Sequence, residues 1–331
     1  MSSNGSGPLI AVEDLVVRYP VARGLGGTLA RRPKRFVHAV EGVSFTVKRG
    51  ELLALVGESG CGKTTTAQAV LRLVEPVSGR IEFDGGDITS LQTRALRPLR
   101  RRMQLIYQDP YESLDPRLSV RAAVEEPLVI HGLGGSKAER REHVREALAR
   151  VELNPPELFL ERYPHELSGG QRQRVAIAAS IVLGPDLLVA DEPVSMLDVS
   201  VRAGILNLLD RLREGGLGIL MITHDLSTAA RFADRIAVMY LGRIVEEGPA
   251  EQVVRDPRHP YTKALLSVVP RRDPRERSKP EILSGETPDA VRIPPGCRFH
   301  PRCPIAIPEC KTIDPALEPV GQDQRAACIR A

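Results

Sequence analysis

Three short apolar runs divide the first 250 residues of the chain. They occupy residues 51–57, 186–191 and 218–223 and consist almost wholly of aliphatic side chains. Runs of this length without polar alternation are typical of parallel strands that are covered on both faces. Residues 172–183 and 201–213 lie between these runs and are predicted to be helical. This alternation predicts an α/β fold with a mostly parallel core sheet.

The segments around this core have other patterns. Residues 10–19 and 43–47 are β-rich and partly alternating, which predicts an antiparallel β subdomain. Residues 23–35 are rich in Gly and Arg and are predicted to be an exposed loop, with a basic run at Arg31, Arg32, Lys34 and Arg35. Residues 109–180 are charged and leucine-rich, notably at 136–150, and are predicted to form an inserted helical subdomain.

Proline marks a change near residue 255. Of the 27 prolines in the chain, 13 fall in residues 255–331, so regular elements must be short there. We therefore expect one large domain at residues 8–255 and a small Pro/Cys-rich C-terminal module at residues 256–331.

Composition narrows the class of protein. With 331 residues and 42% hydrophobic side chains, the chain can bury a substantial core. The net charge of +4 is too weak to indicate a nucleic-acid binder. No apolar stretch reaches about 18 residues, and residues 1–7 do not resemble a signal peptide. We expect a cytosolic protein whose membrane role, if any, requires a partner that spans the bilayer.

Residues 57–64 read Gly-Glu-Ser-Gly-Cys-Gly-Lys-Thr, which matches G-x-x-x-x-G-K-[ST]. An apolar run precedes the motif and a helical segment follows it, as a phosphate-binding loop requires. Glycines allow close backbone wrapping of phosphates, the lysine reaches the β- and γ-phosphates, and the threonine hydroxyl ligates Mg²⁺. The nucleotide-binding residues predicted here are Gly57, Ser59, Gly60, Cys61, Gly62, Lys63, Thr64 and Thr65, with Cys61 as a small filler.

Two further apolar runs end in candidate catalytic residues. Asp191 closes the second run, and a carboxylate at a strand end in such a fold is placed to hold Mg²⁺. Glu192 follows directly and is predicted to polarise an attacking water. His224 follows the third run and is predicted to contact the γ-phosphate.

Residues 167–171 read Leu-Ser-Gly-Gly-Gln and lie just before the strand that ends at Asp191. This segment resembles the signature motif of ABC-type ATPases, and the resemblance covers about residues 8–255. It implies a P-loop NTPase fold, ATP and Mg²⁺ as ligands, and head-to-tail pairing in which each subunit's signature caps the ATP of the other.

The same resemblance implies roles for further residues. Tyr19 resembles the aromatic residue that stacks on adenine, and Gln108 the Q-loop glutamine that touches Mg²⁺ or water. Glu192 matches the catalytic base and His224 the switch histidine. The D-loop carries Met196 where alanine is common. The signature and D-loop residues, which act in trans, are Ser168, Gly169, Gly170, Gln171 and Asp198.

Several segments resemble the ATPases of oligopeptide/dipeptide permeases. They are residues 107–117, 163–168, 256–262 and 296–304. The resemblance implies a second ATPase subunit, two transmembrane permease subunits, an extracytoplasmic substrate-binding protein and a position at the cytoplasmic face of the membrane. Nickel or glutathione uptake remains an alternative, as do a non-transport ABC ATPase acting on nucleic acid and a regulatory ATP-binding module without turnover.

Four cysteines occur late in the chain with the spacing C-x5-C-x6-C-x17-C: Cys297, Cys303, Cys310 and Cys328. A C-x2-C pair typical of structural zinc sites is absent from this spacing. Four thiolates can hold a [4Fe–4S] cluster, and the family resemblance points to one. An iron–sulfur cluster, zinc and metal-free structural cysteines remain three open alternatives.

Overall fold

The computed structural model of the protein describes residues 7–21, 35–109, 113–268, 283 and 285–331. The predicted loop at 23–35, apart from Arg35, and residues 110–112 of the permease-like segment lie outside the described residues. The strands are β1 (Ile10–Pro20), β2 (Phe36–Val47), β3 (Leu52–Val56), β4 (Ser78–Phe83), β5 (Gly86–Asp87), β6 (Met103–Ile106), β7 (Leu187–Asp191), β8 (Gly218–Thr223), β9 (Arg235–Tyr240), β10 (Arg243–Pro249), β11 (Glu318–Pro319) and β12 (Arg325–Ala326).

The helices of the described residues are α1 (Lys63–Val70), α2 (Thr93–Arg102), α3 (Val120–Ile130), α4 (Lys137–Arg150), α5 (Gly169–Ile181), α6 (Val199–Glu214), α7 (Leu226–Phe232), α8 (Ala250–Arg255) and α9 (Pro260–Ser267). Short 3₁₀ turns occur at Pro156–Leu158, Pro164–Glu166 and Pro308–Lys311. None of the helices within the described ranges combines the length and apolar character needed to cross a membrane. The described residues divide into two compact units, one formed by residues 7–9, 47–52, 90–109 and 113–222 and the other by the remaining described residues.

The first unit contains a parallel arrangement of β6, β7 and β8. Met103 lies opposite Leu187, and Leu187 lies opposite Gly218. Every residue of β7 and β8 is buried, because both faces of these strands are covered. The two apolar runs predicted as parallel strands at 186–191 and 218–223 are thereby confirmed.

Helices α3, α4 and α5 of the first unit pack against one another. Each starts after a serine whose hydroxyl accepts a backbone N–H of the first turn: Ser119, Ser136 and Ser168. Helix α5 begins at Gly169, three residues before the predicted start at 172, because the Ser168 cap includes both glycines in the helix. Helix α6 likewise exceeds the predicted 201–213 by two residues at its start and one at its end.

The second unit contains a four-stranded sheet in the order β2-β1-β4-β5. Strands β1 and β4 are antiparallel, with Ile10 opposite Phe83 and Ala11 opposite Glu82. The antiparallel subdomain predicted from residues 10–47 is confirmed, although β4 and β5 were not anticipated. Strand β3 of the same unit pairs in parallel with β9, with Leu53 opposite Arg235.

The C-terminal residues complete the sheet of the second unit. Strand β10 pairs antiparallel with β9 and, through Glu246 and Ala326, with β12, which then pairs with β11. The elements after residue 255 are short, as the proline density predicts. The tail therefore belongs to the same compact unit as the phosphate loop.

Candidate functional site

The predicted phosphate loop connects β3 to α1. Gly60 and Gly62 have φ angles of +78° and +108°, which side chains with a Cβ rarely adopt. A Cβ on Gly57 would lie 2.2 Å from the Met239 carbonyl oxygen, and one on Gly62 would lie 2.1 Å from the Ala39 carbonyl oxygen. The glycines of the motif are therefore required by the backbone path of the loop itself.

Lys63 is buried at the start of α1. Its Nζ donates hydrogen bonds to the carbonyl oxygens of Gly57 (2.8 Å) and Glu58 (2.9 Å). The Lys63 side chain therefore crosses the loop from the start of α1 to the carbonyl oxygens of the first two loop residues. This places a positive charge against the loop backbone, where an anionic ligand is expected.

Four other predicted loop residues differ in exposure. Thr64 and Ser59 are exposed and Thr65 is half-buried. Cys61 is 2% exposed, and burial raises the pKa of its thiol even though Lys63 favours the thiolate. A buried thiol with a raised pKa is a poor nucleophile, which agrees with a packing role.

In the first unit, Gln108 and Glu192 meet. The Gln108 Nε2 donates a hydrogen bond to Oε2 of Glu192 over 3.2 Å. Asp191 directly precedes Glu192, is buried and ends β7. The structure therefore brings the predicted Q-loop glutamine to the Glu192 carboxylate, directly after the strand that ends at Asp191.

The backbone of Glu192 is unusual. Its φ is +46°, in the left-handed region that non-glycine residues rarely occupy. Its N–H donates to the Ile222 carbonyl oxygen (2.9 Å), and its own carbonyl oxygen accepts the Ser195 hydroxyl (3.1 Å). These bonds fix the direction in which the carboxylate leaves β7.

The signature residues open α5. The Ser168 Oγ accepts the Gln171 N–H (3.3 Å), and the Gln171 Oε1 accepts the Ser168 N–H (3.0 Å). A Cβ on Gly170 would lie 2.4 Å from Cγ1 of Val201, so α6 requires glycine there. Ser168 itself is exposed, and an exposed helix N-terminus of this kind can bind an anion from another molecule.

The remaining predicted residues are exposed. Asp198 is the N-terminal flanking residue of α6, and its neighbours Met196 and Val199 are 63% and 81% exposed. His224 is exposed after β8, and Tyr19 is 37% exposed near the end of β1. Tyr19, His224 and the phosphate loop lie in the second unit, whereas Gln108, Asp191, Glu192 and the signature lie in the first.

All four late cysteines line one cavity of about 10 Å³, together with Phe299. None forms a disulfide. Burial raises the pKa of Cys297 to about 11 and also raises that of Cys303. Within the described residues, no group of three or more His, Cys, Asp or Glu side chains has metal-ligand geometry. The four cysteines that the sequence analysis grouped therefore lie together in the fold, and no metal is assigned to them.

Sequence reasoning missed four residues in or against the phosphate loop. Glu58 lies in the loop, and its partners Tyr261, Thr287 and Arg302 come from the C-terminal tail. No spacing in a single sequence links residues more than 200 positions apart. The only available signal was Glu58 itself, an acidic residue in a loop expected to bind an anion.

Two protein-family models match parts of the chain. The ABC transporter family model matches residues 40–195, and the model of the oligopeptide/dipeptide transporter C-terminal region matches residues 245–310. The chain is 50% identical over 292 residues, 88% of this chain and 91% of the relative, to a protein of Brucella ovis named for peptide import and ATP binding. It is 45% identical to the dipeptide transport ATP-binding protein DppF of Escherichia coli, covering 97% of this chain and 94% of that protein.

Among solved structures, the chain resembles a dimeric ATP-binding cassette, MJ0796, in a post-hydrolysis state with ADP and Pi. The TM-score is 0.64 at 29% sequence identity, and the match covers 73% of this chain and 99% of that one. The fold of that structure is the ATP-binding cassette fold predicted from the sequence motifs.

Proposed function

The chain belongs to the ABC transporter ATPase family, and we propose that it is the ATP-hydrolysing subunit that powers an importer of dipeptides or oligopeptides. It is an ABC-type ATPase. The observation that carries the transported class is the match of residues 245–310 to the C-terminal region of oligopeptide/dipeptide transporters. The relatives named for peptide import share nearly the full length of the chain.

The proposed catalytic roles are those that the family resemblance implies, and the local contacts of Lys63 and Glu192 support them. Lys63 and the loop amides bind the phosphates, and Lys63 exchanges its carbonyl partners for phosphate oxygens. Glu192 orients the attacking water, and the Gln108 amide holds that carboxylate by the 3.2 Å hydrogen bond. His224 contacts the γ-phosphate, and Tyr19 stacks on the adenine. Positioning and charge stabilisation account for most of the catalysis of phosphoryl transfer.

The cassette implies Mg²⁺ as a resident ion. The proposed ligands are the Thr64 hydroxyl, Gln108 and the Asp191 carboxylate, which are oxygen donors of the class that Mg²⁺ prefers. When bound, Mg²⁺ neutralises charge on the β- and γ-phosphates. The exposure of Thr64 and the strand-end position of Asp191 support this assignment.

We propose that the chain works as a pair with a second ABC ATPase. The exposed N-terminus of α5 presents Ser168, Gly169, Gly170 and Gln171 to a partner's ATP, and Asp198 lies in the same interface. The exposed apolar side chains of Met196 and Val199 support an interface there. The pair would bind two permease subunits at the cytoplasmic face of the membrane and receive peptide from an extracytoplasmic binding protein.

For the tail we propose a [4Fe–4S] cluster held by Cys297, Cys303, Cys310 and Cys328. The support is the donor chemistry: four thiols line one cavity, and four thiolates are the ligand set of such a cluster, although the described side chains are not in metal-ligand geometry. The cluster would stabilise the fold of the tail. Anaerobic purification should give about four iron and four sulfide per chain with visible absorption, and Cys303→Ser should lose both. Stoichiometric zinc, or cysteines without metal in anaerobic preparations, would contradict the proposal.

Reconstitution tests the function. The chain is co-expressed with permease subunits and the second ATPase, and ATP hydrolysis in proteoliposomes is measured with the binding protein, with and without di- and oligopeptides. We expect peptide to stimulate hydrolysis, and the Glu192→Gln complex to lack this response. If the complex forms but its ATP hydrolysis responds to nickel or glutathione instead of peptide, the proposed substrate class is wrong and the proposed ATPase role stands.

A further inference from the structure

The carboxylate of Glu58 lies in the phosphate loop and is held by the C-terminal tail. Arg302 Nη1 donates to Glu58 Oε2 over 2.9 Å, and Nη2 donates to Oε1 over 3.2 Å. Thr287 Oγ1 also donates to Oε2, over 2.7 Å. The carboxylate therefore accepts a two-pronged guanidinium contact and a hydroxyl, an arrangement stronger and more directional than a single ion pair.

The backbone at Glu58 is held as well. Its N–H donates to Tyr261 Oη over 3.0 Å, and its carbonyl oxygen accepts the Lys63 ammonium over 2.9 Å. Tyr261 is fully buried, with its ring centroid 4.7 Å from that of Tyr240 and 5.4 Å from that of Phe299. A rigid aromatic cluster thus fixes the first turn of the loop through one hydroxyl group.

The charge of Glu58 makes this contact relevant to the ligand. Burial opposes its ionisation, but the hydrogen bonds from Arg302 and Thr287 outweigh burial and lower its pKa, so it is negative at neutral pH. The loop is expected to bind the phosphates of ATP, which carry the same sign of charge. Arg302, whose side chain is 9% exposed, supplies the compensating positive charge in a partly dry environment, where charge effects exceed those at the surface.

A purely stabilising role explains the arrangement poorly. Buried ion pairs recover their desolvation cost only in part, and apolar groups of similar size often serve stability as well. Here the carboxylate belongs to a loop residue whose carbonyl oxygen also accepts the Lys63 ammonium. Arg302 directly precedes Cys303 in the sequence. The position of its guanidinium group therefore depends on how well the cysteine-bearing segment is structured.

Resting on the proposed function, we infer that Arg302 and Tyr261 are positioning residues for ATP binding. Arg302 neutralises the Glu58 carboxylate that would otherwise repel the phosphates, and Tyr261 fixes the loop backbone. The C-terminal tail is by this inference a component of the nucleotide site and sets its affinity.

Double substitution provides the test. The dissociation constant for a fluorescent ATP analogue is measured on the full chain for Arg302→Gln, Glu58→Gln and the two combined. We expect Arg302→Gln to weaken binding about tenfold or more, since an uncompensated negative charge would then remain on a residue of the phosphate loop. The combined variant should recover most of the loss, because both charges are gone. If Arg302→Gln alone and the combined variant bind ATP equally weakly, the loss of binding comes from a disturbed loop structure and not from the uncompensated charge. That result would overturn the inference.

Tyr261→Phe tests the second residue while keeping the ring. Losing one acceptor for the Glu58 N–H should raise the KM for ATP about three- to tenfold and change kcat by less than twofold. An unchanged KM would overturn the role of Tyr261. The unfolding midpoint of each variant is measured alongside, so that a folding defect is distinguished from a binding defect.

Two controls separate the possible failures. Arg325→Gln removes another tail ion pair, to Glu247 (2.6 Å), and should leave ATP affinity within twofold of native. Lys63→Ala should abolish binding. If Lys63→Ala binds ATP as the native chain does, the proposed nucleotide site is wrong, and this inference falls with it. If Lys63→Ala loses binding but Arg302→Gln binds ATP as the native chain does, only the inference is wrong.

Discussion

Glu192 shows how a single residue is prepared for chemistry at the end of a strand. A φ of +46° costs of order 1–3 kcal/mol for a non-glycine residue. Two backbone bonds and the Gln108 amide hold it there. Such strain persists only where the surrounding structure over-determines the conformation, which is common at functional sites.

Replacing Glu192 by Gln should therefore keep the fold and remove the base. We expect ATP hydrolysis to fall by about 10²–10⁴-fold, and ATP to accumulate in a closed dimer visible by size-exclusion chromatography. The exposed Glu214→Gln on α6 is the matched control and should hydrolyse ATP at the native rate. Native hydrolysis by Glu192→Gln would show that another group activates the water.

Gly170 offers a second residue-scale prediction. Alanine is normally better than glycine within a helix by about 1 kcal/mol, yet a Cβ here would lie 2.4 Å from Val201 Cγ1. We expect Gly170→Ala to lower the free energy of unfolding by about 1–3 kcal/mol through overpacking. Gly169→Ala, whose Cβ would lie 3.6 Å from Leu197, should not.

Chemical denaturation measures both variants. Adding Val201→Ala to Gly170→Ala should restore most of the loss, because it removes the obstructing methyl groups. If the added substitution lowers stability further, the contact with Val201 is not the cause. The sequence indicated a functional reason for Gly170 through the signature motif, but the steric reason depends on α6 and was not visible.

At the scale of elements, α4 and α5 begin with the same device. Ser136 pairs with Glu139, and Ser168 with Gln171, each serine accepting the third backbone N–H of its helix at 3.2–3.3 Å. In return, the Ser136 N–H donates to Glu139 Oε2 and the Ser168 N–H donates to Gln171 Oε1. The two caps are thus equivalent in geometry but not in predicted function.

This equivalence allows stability and activity to be separated. Ser136→Ala and Ser168→Ala should each lower the free energy of unfolding by about 0.5–2 kcal/mol, the usual cost of a lost cap. Only Ser168→Ala should reduce ATP hydrolysis, since its hydroxyl faces a partner's nucleotide in the proposed pair. Equal activities of the two variants would argue against the signature role of Ser168.

The elements themselves were largely predictable, for local reasons. Strand β8 coincides with its predicted range because it is buried at every position and its interior, residues 219–222, is wholly apolar. Helix α5 was placed three residues late, because Gly169 and Gly170 suggest a loop until Ser168 is recognised as a cap. Strands β4 and β5 were missed, since residues such as Ser78, Gly86 and Asp87 favour turns and only pairing with β1 and between themselves makes them strands.

At the scale of the whole chain, the C-terminal residues return to β10. Gln324 is 3% exposed, and its amide donates to the fully buried Glu246 (2.8 Å) and to the Asp256 carbonyl oxygen (3.1 Å). Glu246 also accepts the N–H groups of Arg258 and His259. One buried carboxylate thus joins β10, the segment before α9 and the chain's end.

Gln324→Ala should leave this carboxylate short of a donor. We expect the free energy of unfolding to fall by about 1–3 kcal/mol, the cost of an unsatisfied buried polar group. Gln322→Ala, two residues earlier and exposed, should change it by less than about 0.5 kcal/mol. Thermal and denaturant unfolding measure both, and similar values would show that Glu246 does not depend on the tail.

Contacts of this kind set the limit of prediction from the sequence. The phosphate loop and the strand ends follow from local patterns, because their requirements are local. Nothing local to Glu58 or Glu246 specifies Arg302 or Gln324, since the partners meet only after the sheet of the second unit has formed. The sequence predicted the tail as a module and could not indicate that it reaches the nucleotide loop.

The distance along the chain between Glu58 and Arg302 has a consequence for synthesis. The two residues are 244 positions apart, so at about 5–20 residues per second translation delivers the guanidinium roughly 12–50 s after the carboxylate. With Arg302 positioning the loop, a nascent or prematurely terminated polypeptide carries the whole loop but lacks the group that neutralises it. Tight nucleotide capture is therefore acquired late in translation, and incomplete products are poor competitors for cellular ATP.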